Sequence, residues 1–95
     1  MIRLSILYPA GDGVTFDHDY YRDHHVALVE EIWSPAGITV DKGTDGPYVA
    51  GIHLTFESAD ALGAAMGSER TGELLIDVAN YTNAQPVMQT SEVVR

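Results

Sequence analysis

Four stretches of the chain alternate apolar and polar side chains, or are rich in β-branched residues, as strands with one buried face are. The first, IRLSILY, is closed by Pro9, and Pro86 precedes the last. The turn sequence TDGP joins the two middle stretches, which we expect to form a hairpin. The predicted strands cover residues 2–8, 37–43, 48–56 and 87–94.

A first helix is predicted between the first two strands, over residues 18–33. Asp17 or Asp19 can cap its start, because a carboxylate accepts hydrogen bonds from the free N–H groups of the first turn. Apolar side chains follow at helical spacing until Ser34-Pro35 ends the pattern. These apolar positions are Tyr21, Leu28, Val29 and Ile32.

A second helical segment is predicted between the third and fourth strands. Ser58 is suited to cap its start, and Asp60 lies where the positive end of the helix dipole favours a carboxylate. Gly67 and Gly72 interrupt the segment, so we expect a kinked or two-part helix that reaches about Val78. The sequence NYTN then turns the chain toward the last strand.

The predicted elements follow the order strand, helix, strand, strand, helix, strand. This is the βαββαβ arrangement of the ferredoxin-like α+β fold, in which two helices cover one face of an antiparallel sheet. Because no linker, internal repeat or low-complexity stretch divides the chain, we expect residues 1–95 to form a single domain.

The alternation also assigns the strand residues to two faces of the sheet. One face is apolar and should pack under the helices; it includes Ile2, Leu4, Ile6, Tyr8, Ala50, Ile52, Leu54 and Phe56. The opposite face carries Arg3, Ser5, Leu7, His53, Thr55, Gln89 and Ser91. That composition is too apolar for a solvated surface and too polar for a dry core, and it suits a subunit interface that encloses a ligand cavity. The alternative is an ordinary wet sheet surface with a few exposed aliphatic side chains.

Composition narrows the possible partners. A domain of 95 residues buries only about 60–65% of its unfolded surface, so we expect a homo-oligomer, a homodimer in the simplest case. Fourteen acidic and five basic residues give a net charge of -9, which argues against nucleic acid and membrane surfaces as partners.

The chain has no cysteine, and it shows neither a signal-peptide pattern nor an apolar stretch of membrane-spanning length. We expect a cytoplasmic protein.

The segment FDHDYYRDHH, residues 16–25, contains three of the four histidines and first suggests a metal site. Ligands on a helix converge on one ion when they are three or four residues apart. No two of His18, His24 and His25 have that spacing, and the matched pair Asp19 and Asp23 can equally be solvated. We therefore expect no metal.

Acid/base chemistry is the better interpretation, and the helical period selects His25 as the candidate catalytic residue. It lies four residues after Tyr21 and three before Leu28, which places it on the apolar stripe of the helix. A partly buried imidazole stays neutral because desolvation lowers its pKa, and neutral imidazole accepts a proton near pH 7. The alternative is a structural histidine at the edge of the core, satisfied by a backbone carbonyl.

Other side chains could contact a substrate. A tyrosine hydroxyl could hold a substrate oxygen, Asp19 could orient the groups, and the opposite sheet face adds further polar side chains. The candidate substrate-binding residues are Ser5, Tyr20, Tyr21, His53, Tyr81 and Gln89. The sequence GDG at 11–13 lacks the full dinucleotide glycine pattern, and no phosphate-loop lysine follows it, so we expect no bound cofactor.

Three segments together resemble the EthD family of small dimeric α/β-barrel proteins: LSILYPAGDGVTFDHDYYRDHHVALV, PYVAGIHLTFES and NYTNAQPVMQTSEV. The resemblance covers nearly the whole chain and implies a ferredoxin-like subunit whose sheet meets that of a second subunit to form a barrel. The family's histidine falls on His25, while Ala27 stands where many relatives carry proline. Family members are associated with ether-fuel degradation and are commonly labelled reductases. The wider superfamily includes cofactor-independent monooxygenases and polyketide cyclases or dehydratases.

The sequence therefore supports a cofactor-independent enzyme, of the oxidoreductase or cyclase/dehydratase type, that acts on a small apolar or aromatic carbonyl compound. His25 would be its acid/base. A non-catalytic protein that binds a small molecule in a degradation pathway is the alternative, and a structural dimer with a vestigial pocket is a third. The substrate and the reaction stay open at this stage.

Overall fold

Four antiparallel strands form the sheet in the computed structural model, which describes all residues from Met1 to Arg95. The strands are β1 (Ile2–Pro9), β2 (Gly37–Lys42), β3 (Tyr48–Phe56) and β4 (Val87–Glu92). Their spatial order is β2-β3-β1-β4, so β1 and β3 lie at the centre and β2 and β4 at the edges. This order, with helices between β1 and β2 and between β3 and β4, confirms the predicted ferredoxin-like fold.

The strand register confirms the predicted division of the sheet into two faces. Ser5 in β1 lies directly opposite His53 in β3 and Gln89 in β4, and Leu7 lies opposite Val87. Directly paired residues of antiparallel strands point to the same side. These side chains therefore share the face that the helices do not cover, which we call the open face.

The helices cover the other face and form the core with it. Leu4, Ile52 and Leu54 are the most deeply buried strand residues, each at most 1% exposed. Their helical partners in the same cluster include Val29, Trp33, Leu62 and Leu74. Burying one such side chain contributes about 1.5–3 kcal/mol, which makes this cluster the main source of stability.

The predicted helix at residues 18–33 is present, but its middle is not α-helical. It consists of α1 (His18–Tyr20), a π-helical turn (Tyr21–His25) and α2 (Val26–Trp33). The Asp17 side chain accepts a hydrogen bond from the N–H of Tyr20 and caps the start. In a regular α-helix, side chains four residues apart are displaced by about 40° around the axis, because four residues turn further than one full turn. The wider π turn offsets this displacement, so side chains four residues apart stay on one face. Sequence periodicity did not predict this turn.

The second helical segment is divided, as predicted. It contains α3 (Ala59–Met66), α4 (Thr71–Asp77) and a 3-10 turn (Val78–Asn80). The Ser58 hydroxyl accepts a hydrogen bond from the N–H of Ala61 and caps α3, and Gly67 ends that helix. No helix in the structure has both the length and the hydropathy that a membrane span requires.

Ser34, which ends α2, provides a test of the local backbone. It is the one non-glycine residue with positive φ, at φ 44° and ψ 55°, a region that costs other residues about 1–2 kcal/mol. Ser34→Gly should therefore raise the free energy of unfolding by about 0.5–1 kcal/mol, and Ser34→Val should lower it by about 1–2 kcal/mol. Urea denaturation measures both. Equal stability of the two variants would contradict this interpretation.

Candidate functional site

His25 lies at the end of the π turn, where the helix faces the core. Its side chain is only 7% exposed, and its ring stacks on that of Tyr21 with the centroids 5.4 Å apart. The Nδ1–H group donates to the Oδ2 atom of Asp77 at 2.8 Å. Because a carboxylate only accepts hydrogen bonds, this contact fixes the proton of the neutral imidazole on Nδ1 and leaves the lone pair on Nε2.

Asp77, the last residue of α4, is itself held by three donors. Its Oδ1 atom accepts from the Tyr20 hydroxyl at 2.7 Å and from the Asn80 amide at 3.0 Å, while Oδ2 accepts from His25. Burial raises the pKa of the Asp77 carboxyl, but the three hydrogen bonds together outweigh this and hold the pKa below its usual value. Asp77 is therefore a fixed anion beside the imidazole.

The pKa of His25 is lowered, chiefly because burial disfavours the charged imidazolium. The Asp77 carboxylate acts in the opposite direction, since it stabilises the imidazolium, but it offsets only part of the effect of burial. The imidazole is thus neutral near pH 7. It can accept a proton on Nε2, and the resulting positive charge would be stabilised by Asp77.

Two tyrosines extend the network on the Nε2 side of His25. The Tyr81 hydroxyl oxygen lies 3.4 Å from Nε2 and 2.6 Å from the hydroxyl oxygen of Tyr8. Burial raises the pKa of both phenols, so both keep their protons near neutral pH. The hydroxyl of Tyr21, in the same aromatic cluster, is buried and makes no hydrogen bond within the chain.

Backbone hydrogen bonds hold Tyr81 against the start of the first helix. The Asp17 N–H donates to the Tyr81 carbonyl at 2.8 Å, and Phe16 and Thr82 form an isolated antiparallel bridge. The Thr82 hydroxyl also donates to the carbonyl of Thr15 at 2.7 Å. The segment after the 3-10 turn is therefore tied to the loop after β1, which fixes the Tyr81 ring between His25 and Tyr8.

An apolar cavity of about 210 Å³ lies between the helices and the β1–β4 side of the sheet. Nine of its twelve lining residues are hydrophobic, and His25 and Tyr8 both lie in its wall. The lining is formed by Ile6, Tyr8, His25, Val29, Trp33, Met66, Thr71, Leu74, Leu75, Val78, Pro86 and Met88. The cavity therefore places the histidine beside a space that favours apolar compounds.

The structure divides the candidate residues between the two faces of the sheet. Tyr20, Tyr21 and Tyr81 lie around His25 on the helical side. The other three candidates, Ser5, His53 and Gln89, lie on the open face, where a ligand in the cavity cannot reach them. Sequence reasoning grouped the six residues around one ligand, and the sheet between them separates that group.

On the open face, the three strands β1, β3 and β2 contribute a second polar network. The Ser5 hydroxyl lies 2.8 Å from Nδ1 of His53, and Nε2 of His53 lies 3.1 Å from the Asp41 carboxylate. Gln89 donates to the hydroxyl of Ser91 at 3.1 Å. Nowhere in the chain do three or more His, Asp or Glu side chains come together in a way that could hold a metal ion.

The structure gives His25 a partner that the sequence did not indicate. The suggested carboxylate, Asp19, is exposed and lies 3.6 Å from Arg22, whereas Asp77 is the residue that contacts the imidazole. The alternative of a backbone carbonyl partner is also not what the structure shows. His24, next in the chain, is exposed, and His18 is half-buried beside Phe16.

Asp77 and Tyr8 are the site residues that sequence reasoning missed. A signal for Asp77 is present, because Leu74, Asp77, Val78 and Tyr81 are spaced by three, four and seven residues and so share one helical stripe. A carboxylate on such a buried stripe needs a partner. Tyr8 carried no such signal, since a tyrosine on the apolar side of a strand is ordinary core packing.

Solved structures match the chain over nearly its full length. An EthD-like protein from Ralstonia eutropha is 39% identical with a TM-score of 0.91, and the match covers 99% of this chain and 92% of that chain. An EthD family protein from Bacillus halodurans is 16% identical with a TM-score of 0.77, over 99% of both chains. A dimeric protein of unknown function from Bacteroides fragilis, with a ferredoxin-like fold, is 11% identical with a TM-score of 0.63, over 97% of this chain and 95% of that chain.

The two more distant matches show the fold alone. No family model and no curated protein sequence matches the chain. The Ralstonia protein, however, is similar in sequence as well as in structure, with 39% identity over a match that spans nearly the whole length of both chains. The chain therefore belongs to the EthD family.

Proposed function

We propose that the protein is a cofactor-independent enzyme in which His25 acts as general acid and base on a small apolar carbonyl compound. The observation that carries this proposal is the part-buried contact of 2.8 Å between His25 and Asp77, with His25 in the wall of an apolar cavity. A structural histidine could be satisfied by any acceptor. A carboxylate partner additionally fixes the tautomer and stabilises the imidazolium that forms during catalysis.

The chemistry begins with removal of a proton from the carbon next to the carbonyl group. The C–H bond breaks, the proton moves to Nε2 of His25, and the electron pair stays on the substrate as an enolate. Apolar side chains around the pair strengthen its electrostatic interactions, because they displace water that would screen them. The enolate can then cyclise, lose a leaving group or react with oxygen, so the proposed step is common to the cyclase/dehydratase and monooxygenase types.

The size and the lining of the cavity support a small substrate. A volume of about 210 Å³ lies below the roughly 300–1,000 Å³ that is typical of sites for drug-sized ligands. The side chains around it are mainly aliphatic, with Trp33 as the large aromatic contact. A compound with one ring and one carbonyl group fits these limits, and we expect an apolar or aromatic metabolite of this kind.

We further propose that the functional unit is a homodimer formed through the open face. This face has no helix over it, and its row of Leu7, Gly51 and Val87 is apolar, with Val87 48% exposed. Burying it against a second copy would remove that apolar area from water. The three candidate residues Ser5, His53 and Gln89 would then belong to the interface between subunits.

Exchange of α-protons for deuterium in a small aryl ketone, followed by NMR, measures the proposed step directly. His25→Gln should slow this exchange by about 100-fold or more, because general acid/base catalysis typically contributes 10²–10⁴-fold. Glutamine keeps an N–H group that can donate to Asp77 but has no basic nitrogen.

The matched control is His24→Gln, which changes the same residue type at the exposed neighbouring position and should leave the exchange rate unchanged. Unaltered exchange in folded His25→Gln would disprove the catalytic assignment. Binding of the ketone without exchange in the wild type would favour the alternative, a non-catalytic protein that binds small molecules.

Stability should depend on pH through His25. Its pKa is lowered in the folded state, so below the unfolded value of about 6.5 the unfolded chain binds more protons. The stabilisation is complete above about pH 6.5 and is lost as the pH falls through the folded pKa. Urea denaturation between about pH 8 and pH 5 should show falling stability in the wild type and a smaller fall in His25→Gln.

The pKa of His18 is also lowered, chiefly because of burial. His18 is present in both the wild type and His25→Gln, so its contribution to the pH dependence of stability cancels when the two proteins are compared. Parallel pH profiles for the two proteins would contradict the assignment of a lowered pKa to His25.

The dimer has its own test. Val87→Asp places a charge on the open face and should weaken self-association by about 100-fold or more, because an unpaired charge is costly to bury. Val94→Asp is the matched control, since Val94 lies beyond the end of β4 and is 89% exposed. Sedimentation equilibrium measures both. A monomeric wild type, or equal association of the two variants, would rule out this interface.

A further inference from the structure

Two polar groups of residues in the cavity wall hydrogen-bond to the Tyr81 hydroxyl alone. Four lining side chains carry nitrogen or oxygen atoms: Tyr8, His25, Trp33 and Thr71. The Trp33 Nε1–H group donates to the Thr71 hydroxyl at 3.0 Å, and that hydroxyl donates to a backbone carbonyl at 3.3 Å. The Nδ1–H group of His25 is used by its carboxylate partner. The other two groups, the Tyr8 hydroxyl and Nε2 of His25, both contact the Tyr81 hydroxyl, at 2.6 Å and 3.4 Å.

The hydrogen bonds of the Tyr8 and Tyr81 hydroxyls can be arranged in two orders, because either hydroxyl can be the donor in the 2.6 Å contact between them. In the first order, Tyr8 donates to Tyr81, and Tyr81 donates to Nε2 of His25 across the longer distance of 3.4 Å. In the second order, Tyr81 donates to Tyr8, and the Tyr8 proton points away from the pair. The second order leaves Nε2 of His25 free.

We propose that Tyr8 is a catalytic residue that donates a hydrogen bond to the carbonyl oxygen of a neutral ketone in the cavity, and that this contact frees His25 to act. When the ligand oxygen accepts from Tyr8, the Tyr81 proton turns to Tyr8 and leaves Nε2. Binding of the correct oxygen is thus coupled to release of the base. This inference rests on the proposed function of His25, and it adds the group that stabilises the product of proton removal.

His25 takes up the proton that the ketone loses, and Tyr8 holds the negative charge that develops. The α C–H bond breaks, its proton goes to Nε2 of His25, and the negative charge that develops on the carbonyl oxygen is held by the Tyr8 hydroxyl. Return of the proton from His25 to carbon restores both partners. Burial raises the pKa of Tyr8, so the phenol stays protonated and serves as a donor throughout.

The same wall argues against an anionic substrate. None of the lining residues is lysine or arginine, and the Asp77 carboxylate lies directly behind the imidazole. A carboxylate in this cavity would lose its water without gaining a cation, which is costly. The cavity therefore distinguishes a neutral ketone from a carboxylate of the same shape.

Acetophenone labelled with carbon-13 at the carbonyl tests the contact by NMR, without any need for turnover. Donation from Tyr8 should move the carbonyl resonance downfield on binding, and Tyr8→Phe should abolish this shift. The same variant should slow α-proton exchange by about 100–1,000-fold, the usual effect of removing one donor to a developing oxyanion. Tyr48→Phe is the matched control, because Tyr48 is 38% exposed and does not line the cavity.

Tyr81→Phe gives a second test that holds even if Tyr8→Phe does not fold. It keeps the Tyr8 donor, so the downfield shift should persist, whereas loss of the shift would identify Tyr81 as the donor and overturn the proposal. Retention of both shift and exchange in folded Tyr8→Phe would also overturn it. His25→Gln should keep the shift and lose the exchange, so failure of the base and failure of the donor are distinguishable.

Benzoate tests the predicted substrate class, since it has nearly the shape of acetophenone and carries a charge. We expect it to bind at least about 10-fold more weakly, a difference of about 1.4 kcal/mol. Equal or tighter binding of benzoate, or no binding of acetophenone at all, would refute a cavity selective for neutral ketones.

Discussion

A part-buried hydrogen bond between an imidazole and a carboxylate is the contact on which the site depends. His25 and Asp77 are 52 positions apart in sequence, and their contact joins the first helix to the last. Removing a carboxylate from water is costly unless its lone pairs are satisfied, and three donors satisfy Asp77 here. The network that meets this cost also fixes the tautomer of His25 and keeps its basic nitrogen on the side of the tyrosine pair.

The sheet gives the two sides of the molecule different environments. On the helical side, the core and the cavity are continuous, so a ligand there would contact the same aliphatic side chains that stabilise the fold. On the open face, a polar network crosses three strands at Ser5, His53 and Asp41 beside an apolar row. A chain of this size buries little surface alone, and a second copy over the open face would leave the cavities of both subunits intact.

Much of the fold could be predicted because it follows from local patterns. The period of two assigned residues of the first, third and last strands to their faces, and the register of β1 with β3 and β4 bears out that assignment. Side-chain caps at Asp17 and Ser58 mark helix starts where the sequence indicated them. The π turn at residues 21–25 escaped prediction because it depends on packing, which keeps Tyr21, His25 and Val29 buried on one face.

The sequence by itself determined the family, the order of the elements and the burial of His25, since the helical period reports which side of its own helix a residue occupies. Only the tertiary structure decided which groups surround that histidine. The contacts with Asp77 and Tyr81 join residues more than fifty positions apart, and no local period reports how two helices and a strand converge. For the same reason the sequence could not show that His53 lies on the far side of the sheet from His25.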